Sequence, residues 1–460
     1  MTSPTLTFLG AAGTVTGSRF RFRGDGGGFL VDAGLYQGPA ELRRRNWDAD
    51  DGGAADLAAV VVSHAHLDHC GYLPRLVRDG FAGRIVCTPE TAELVAIVLR
   101  DSAHLQEEDA RLANEHGFSK HRPALPLYDD EDVEATLRLL DPVGYDEPTA
   151  LVAGATVTLR PAGHILGSST VLLEVDDQRV VLSGDLGRPH HPLLRPPAPV
   201  PAAGTVVVES TYGDRTHARR RPEVLAAALR RTLGRGGSVL VPAFAVDRTE
   251  LVLVELRRLV ATGQVPRVPV YVDSPMALAT LEVYRRCIAE GSPQLRPEAH
   301  ELLDALDELH VRTVTDAEGS IRLNRPGSPC IVVSASGMAS GGRVVHHLAE
   351  QLPDPRNCVV LTGYQAIGTR GRQLLDGARQ VKIHGRYVPV RAEVVDDSDF
   401  SVHADADELL AWLATAPEPP RTVYVVHGEA HGSAELAARI DAELGWPAVV
   451  PQLGEVVRLD

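Results

Sequence analysis

The stretch that most constrains this chain is Ser63-His64-Ala65-His66-Leu67-Asp68-His69-Cys70-Gly71, with three imidazoles and a carboxylate inside six residues. The run before it, Leu57 to Val62, is apolar and ends in three valines, which reads as a buried strand. Gly71 and Pro74 follow, and suit a turn into a helix start. The cluster is therefore expected in the loop at the C-terminal end of a buried strand. In extended backbone His64 and His66 point the same way, while Asp68 and His69, beyond the bend, can face a second point. A single histidine in such a loop would read as solvated. This pattern suits two adjacent metal ions held by imidazole and carboxylate.

The same regularity recurs along the chain. Phe29-Leu30-Val31 ends at Asp32, Thr156–Pro161 runs into His164, and Arg179–Leu182 leads to Asp185. Thr205–Val208 ends at Glu209, and Thr422–Val426 ends at His427. Strand ends on one edge of a buried sheet converge in space, and active sites of layered α/β folds favour such edges. A two-metal centre needs about seven to eight ligand positions with one bridging group. His64, His66, His164 and a shared Asp185 would hold the first ion; Asp68, His69, His427 and the same Asp185 would hold the second. Asp32 alone would read as a loop or capping residue. In this company it reads as a partner that hydrogen-bonds a ligand or its backbone.

The chain's 460 residues exceed one small core, so two domains or one enlarged domain are expected. Pro189 to Pro201 is too rich in proline for a helix or central strand. After Glu209 the pattern changes to alternating strands and helices, which suggests a parallel α/β unit of its own. Strand patterning resumes at Val381–Ile383 and Val388–Val395. The expected division is residues 1–210, an inserted unit at 211–378, and a completing segment at 379–460.

The formal charge of −15 argues against nonspecific attraction to nucleic acid or to an anionic membrane. Five scattered cysteines form no C-x-x-C pair, so neither a disulfide framework nor a cysteine zinc site is implied, and a reducing cytoplasm fits. No apolar run is long enough to span a bilayer, and no membrane partner is expected.

His64-Ala65-His66-Leu67-Asp68-His69, with Asp32, His164 and Asp185, resembles the signature of the metallo-β-lactamase superfamily. Glu209-Ser210-Thr211-Tyr212-Gly213, Phe400-Ser401-Val402-His403 and Val426-His427-Gly428-Glu429 resemble motifs A, B and C of its β-CASP branch, whose members process nucleic acids. Asp273-Ser274-Pro275-Met276 and Gly363-Tyr364-Gln365-Ala366 resemble stretches of the inserted β-CASP domain. The resemblance implies an α/β fold, an αββα metallo-β-lactamase sandwich interrupted by a parallel α/β β-CASP domain. Members that cleave RNA carry a histidine at motif C, so His427 favours RNA, single-stranded, as partner. The family's ribonuclease J carries a long C-terminal domain, and archaeal relatives an N-terminal RNA-binding extension; this sequence shows neither pattern. A homodimer is compatible with the family.

The resemblance implies a ribonuclease with two Zn ions per chain, in which a zinc-bound hydroxide attacks the phosphodiester. Asp68, Glu209 and His403 are the expected catalytic residues. His403 is the candidate general acid, a role suited to an imidazole at neutral pH, with Glu209 orienting its ring. Without the motif, His403 would read equally well as a solvated residue before a helix. Ser334, Ser336, Arg343 and Ser401 are candidate phosphate contacts, because small residues at a helix start let backbone N–H groups approach an anion. Arg370 and Arg372 are further candidates, whereas Arg219-Arg220-Arg221 reads as a solvated charge run. Aromatics are only 5%, so no ladder of base-stacking side chains is evident. If RNA is the substrate of so acidic a chain, positive potential must be concentrated locally, in the cleft between the two domains. Internal cleavage is expected. The alternatives are an exonuclease acting from the RNA 5′ end, or a hydrolase of a small ester or thioester sharing the metal ligands.

Overall fold

Strands that are apolar on both faces need a covering layer on each side, and the long apolar runs of this chain are found in such positions. The structure is a computed structural model that describes residues 3–48, 53–117, 119–217 and 223–459, so Arg219-Arg220-Arg221 lies outside the described residues. It divides into two compact units, one of Met1–Thr216 with His403–Asp460, the other of His217–Val402.

The first unit is a sandwich of two seven-stranded sheets. One sheet runs, in spatial order, Val456–Arg458, Thr5–Phe8, Phe20–Gly24, Gly27–Val31, Leu57–Val61, Arg84–Cys87 and Leu140–Pro142. The other runs Ala448–Val449, Thr422–Val426, Thr205–Glu209, Gln178–Leu182, Ser169–Val175, Ala155–Pro161 and Thr149–Val152. Phe8, Phe22, Phe29, Val61 and Val86 meet Leu159, Val171, Leu182, Val207 and Val426 between the sheets. On the outer face of the second sheet, Val206, Val208, Val423 and Val425 pack on Leu409, Leu413, Leu436 and Ile440. Alternate residues of Thr205–Glu209 thus serve opposite layers, which explains an apolar run without a polar partner face. Burying each such valine contributes roughly 1.5–3 kcal/mol, so polar residues are confined to positions beyond the strand ends.

Those ends share a direction where it matters. Gly27–Val31 is parallel to Leu57–Val61, and Gln178–Leu182, Thr205–Glu209 and Thr422–Val426 are mutually parallel. The helix Pro89–His116 is capped by Thr88, whose Oγ1 accepts the Thr91 N–H at 3.2 Å. Residues 189–201 contain no helix or strand of more than an isolated bridge, as the prolines require. All five cysteines are free and buried. No helix among the described residues is long and apolar enough to cross a membrane.

The second unit holds a six-stranded parallel sheet in the order Arg312–Thr313, Val270–Val272, Ile331–Ser334, Val239–Pro242, Cys358–Leu361, Glu393–Asp396. Two sequence expectations are corrected here. Val388–Val395 is not one strand: Arg386–Pro389 pairs back on Gln380–Ile383 as a hairpin, and Glu393–Asp396 forms the edge of the six-stranded sheet. The chain therefore returns to the first unit at His403, not at residue 379, because the pairing of Glu393–Asp396 with Cys358–Leu361 ties that segment to the second unit. Periodicity alone cannot tell which sheet a strand joins.

One ionic cluster knits the second unit. Asp273, at the end of Val270–Val272, is fully buried, and its carboxylate accepts from Ser320 Oγ at 2.6 Å, His347 Nε2 at 2.7 Å and Arg343 Nη1 at 2.7 Å. Burial works against this charge, but His347, Ser320 and Arg343 outweigh it and hold its pKa below the usual carboxylate range. Removing one partner of a buried ionic cluster leaves uncompensated charge, so Asp273→Ala should cost the second unit about 3–5 kcal/mol in urea unfolding. A loss below about 1 kcal/mol would show that the cluster is not structural.

Candidate metal centre

The turn after Leu57–Val61 is shaped by Asp32, which follows the neighbouring strand. Asp32 adopts a left-handed backbone (φ +59°), and its N–H donates to Val61 O at 2.7 Å. Its carboxylate accepts Ser63 N–H at 2.8 Å on Oδ1, and Ser63 Oγ–H at 2.9 Å and His69 Nδ1–H at 2.8 Å on Oδ2. His66 is the N-cap of a short helix, Leu67–Cys70, that carries Asp68 and His69. Asp32 thereby fixes both the bend of the loop and the tautomer of His69, turning its Nε2 lone pair inward.

Two groups of ligand atoms assemble within the first unit. His64, His66, His164 and Asp185 form one; Asp68, His69 and His427 form the other. In the first, His64 Nε2 lies 3.1 Å and His164 Nε2 3.3 Å from His66 Nδ1, and both are 3.5 Å from Asp185 Oδ2. In the second, His69 Nε2 and His427 Nε2 are 3.2 Å apart, with Asp68 Oδ2 3.6 Å from His427 Nε2. Asp185 Oδ1 lies 3.2 Å from His69 Nε2, so its two oxygens face the two groups. The seven residues expected from sequence as ligands are thus brought together.

The donor set fits metal ions. Four donors arranged tetrahedrally at the roughly 2.0–2.1 Å of a metal–imidazole bond lie about 3.3–3.4 Å apart, which is the spacing seen here. The hydrogen-bond inventory agrees. His69 spends its Nδ1 proton on Asp32, and His427 Nδ1 contacts Thr211 Oγ1 at 3.1 Å. Their Nε2 atoms then face each other, that of His69 also facing Asp185 Oδ1 and that of His427 facing Asp68 Oδ2. Asp185 Oδ1 is buried and accepts no hydrogen bond. Acceptors turned on one another in a buried site require a cation between them.

Electrostatics separates the groups. Burial drives the pKa of His64 and His164 well below the ordinary imidazole value and that of His66 to about 4, so all three are neutral and can coordinate. For His69, burial is outweighed by Asp185 and Asp32, and for His427 by Asp185 and Asp68, so both are raised. Burial also opposes the charge of Asp185, yet His427, His69, His403 and His64 keep its pKa well below the usual range. These carboxylates demand positive charge, and a proton or a metal ion answers the same demand.

Beside the shared carboxylate stands a third group, Asp185, Glu209 and His403. His403 Nδ1 is 3.2 Å from Glu209 Oε2 and 3.9 Å from Asp185 Oδ2. Glu209 is fully buried at its strand end, and its Oε1 accepts Leu186 N–H at 2.6 Å. A carboxylate fixed in this way holds the imidazole ring in one orientation.

The expected phosphate contacts in the second unit fare differently. Ser334 Oγ donates to Asp273 O at 2.8 Å and is buried. Arg343 spends its guanidinium on Asp273, Val314 O and Thr315 O. Arg372 pairs with Asp376, and Arg370 donates to Lys382 O and Ala339 O. Ser336 Oγ accepts Ser340 N–H at 3.3 Å, and Ser401 is buried. Ser334 and Arg343 are therefore corrected from phosphate contacts to structural residues. Sequence reasoning missed the hydroxyls that orient the centre: Ser63, Thr211, Ser168, which accepts His164 N–H at 3.0 Å, and Ser183, which accepts Glu209 N–H at 2.9 Å. Their signal was position, a small hydroxyl residue within a few places of each strand end.

Asp32→Asn keeps the left-handed turn but offers His69 Nδ1–H an amide in place of a carboxylate. Partners that orient ligands typically govern metal affinity by roughly 10–100-fold, and this variant should lose that much in chelator competition. Affinity equal to wild type would remove Asp32 from the centre.

Three family descriptions match the chain: metallo-beta-lactamase superfamily over residues 19–242, Beta-Casp domain over 249–374, and Zn-dependent metallo-hydrolase RNA specificity domain over 387–451. A ribonuclease of Thermus thermophilus is 37% identical over 423 residues, covering 92% of each chain. An RNase J-like protein of Methanocaldococcus jannaschii is 31% identical over 436 residues, covering 94% of each. Transcription termination factor FttA of Thermococcus kodakarensis is 31% identical over 420 residues, 88% of this chain and 62% of that one. The crystal structure of a protein of unknown function from Enterococcus faecalis V583 matches over the full length of both chains with a TM-score of 0.54 at 14% identity, a likeness of fold alone. With its sandwich, its inserted parallel unit and its histidine–aspartate centre, the chain belongs to the metal-dependent metallo-beta-lactamase superfamily, in the Beta-Casp branch.

Proposed function

We propose that this protein is a ribonuclease that hydrolyses RNA phosphodiester bonds internally, using two zinc ions per chain. The observation that carries the reading is the Glu209–His403 pair, 3.2 Å apart and beside the carboxylate of Asp185. A hydrolase of small esters or thioesters expels a good leaving group and has no need of a second, carboxylate-oriented imidazole. The match to an RNA specificity domain and the ribonuclease named among the relatives support the same reading.

His64 Nε2, His66 Nδ1, His164 Nε2 and Asp185 Oδ2 would hold one ion; Asp68 Oδ2, His69 Nε2, His427 Nε2 and Asp185 Oδ1 would hold the other. Imidazole-rich donor sets favour zinc. When bound, the ions lower the pKa of a coordinated water and neutralise charge on the phosphoryl group. The chain's own residues supply the rest. Asp68 and Asp185 keep the site anionic before the ions enter. Glu209, pinned by Leu186 N–H, accepts from His403 Nδ1–H, so the proton for the leaving oxygen comes from Nε2. Attack of water on phosphorus and departure of that oxygen then complete hydrolysis.

His403→Ala should lower kcat on RNA by roughly 10²–10⁴-fold, the usual worth of a positioned general acid. Bis-p-nitrophenyl phosphate, whose leaving group needs no proton, should be hydrolysed at a rate much closer to wild type. Equal loss on both substrates would mean that His403 does something other than protonate. For the metal, dialysis against chelator should abolish cleavage and zinc should restore it. Fewer than one tightly bound equivalent in purified protein would contradict a two-ion centre. A circular RNA tests the mode of attack: an endonuclease opens it, whereas an enzyme acting from a 5′ end leaves it intact.

A further inference from the structure

Residues 379–391 stand out in this acidic chain. Against 46 basic and 61 acidic residues overall, the stretch carries Arg379, Lys382, Arg386 and Arg391 with no aspartate or glutamate. It folds as the hairpin Gln380–Ile383 with Arg386–Pro389. His384 and Gly385 join the strands with φ of +46° and +77°, the positive pair that a two-residue type I′ turn requires. The inward side chains Val381, Ile383 and Val388 are buried with Val345, Leu348 and Leu374 in the core of the second unit, so the hairpin is anchored. At its tip the His384 ring stacks on His346 of the adjoining helix, centroids 4.5 Å apart.

The outer face has a different character. Lys382 and Tyr387 are directly opposite each other across the strands, and both are exposed, Tyr387 at 67%. Arg379, Arg386 and Arg391 are exposed as well; Arg386 stands at the hairpin's tip, opposite Ile383 and on its face of the strand pair. Carboxylates close by in sequence are occupied elsewhere: Asp376 by Arg372, and Glu393 by Arg231 and Arg235. Among the described residues, no carboxylate pairs with Lys382, Arg386 or Arg391. The guanidinium groups expected from sequence to meet phosphate are engaged within the fold, whereas Lys382, Arg386 and Arg391 carry no ion pair among the described residues. Uncompensated cations around a large exposed aromatic ring suit a single strand, whose phosphates meet the charges while a base stacks on the ring.

We propose that this hairpin is an RNA-binding platform, with Tyr387 under a base, Lys382 beside the ring on one phosphate and Arg386, at the hairpin's tip, on a neighbouring one. The proposal deepens the ribonuclease reading and rests on it. Single-stranded RNA is chosen over an acidic protein because Lys382 lies directly across from the exposed ring of Tyr387, a charge beside a stacking surface, with Arg386 next to it at the hairpin's tip.

The test measures binding of a fluorescent single-stranded RNA across a salt series, for wild type, Lys382→Glu/Arg386→Glu, Tyr387→Ala and the control Arg322→Glu, another exposed arginine of the same unit. The double reversal should weaken binding and make the salt dependence shallower by about 1.4 in log–log slope, two contacts at about 0.7 each. Tyr387→Ala should weaken binding about five-fold or more, with the salt slope retained. Arg322→Glu should match wild type. All altered side chains are exposed, so thermal melting should be unchanged. If wild type binds and cuts RNA and the hairpin variants bind as it does, the platform is overturned, in favour of a protein partner for this face, while the ribonuclease reading stands. If the control weakens binding as much as the double reversal, the effect is general charge and the platform is again overturned. A wild type that neither binds nor cuts RNA overturns both.

Discussion

The carboxylate of Asp185 is the interaction on which the rest depends. It is buried, faces imidazoles from both ligand groups, and lies near His403 as well. Desolvating such a charge costs several kcal/mol unless positive charge answers it, so the fold around it is arranged to receive cations. The parallel strands Gln178–Leu182, Thr205–Glu209 and Thr422–Val426 end side by side, and the residues just past those ends are Asp185, Glu209 itself and His427. Sheet register, set by valine burial, therefore determines which polar groups meet.

Around that carboxylate the protein sorts neutral from charge-seeking imidazoles. The group of His64, His66 and His164 is governed by burial, which leaves lone pairs free at neutral pH. His69 and His427 are governed by neighbouring carboxylates, which draw positive charge. His403, like His69 with Asp32, has a carboxylate at Nδ1 that is held in turn by a backbone amide, Glu209 by Leu186 N–H, and it lies beside Asp185.

The second unit shows why charge alone is a poor guide to contact. Arg343 and Arg372 carry the charge that phosphate would need, yet each is consumed by a carboxylate of its own fold. Lys382 and Arg386, which pair with no carboxylate among the described residues, lie on the Gln380–Pro389 hairpin, which its alternating pattern marks as a strand pair but whose sheet membership is decided elsewhere in the chain. The division between the units moved for the same reason: Glu393–Asp396 joins the partner that its register finds, Cys358–Leu361.

The sequence by itself determined the chemistry of the centre and the layered character of the fold. Ligand ability is a property of residue type, and burial on both faces is written in uninterrupted apolar runs, so His64, His66, Asp68, His69, His164, Asp185 and His427 were legible as candidate ligands that the fold brings together. Their chain separation hid nothing, because each followed the same local rule at a strand end. Only the tertiary structure decided which oxygen of Asp185 faces which group, that Ser63, Thr211 and Ser183 orient the ligands and Glu209, and that Arg343 and Ser334 belong to Asp273. These are distances of a few ångströms between segments far apart in the chain. They are set by packing and register, which no local pattern encodes.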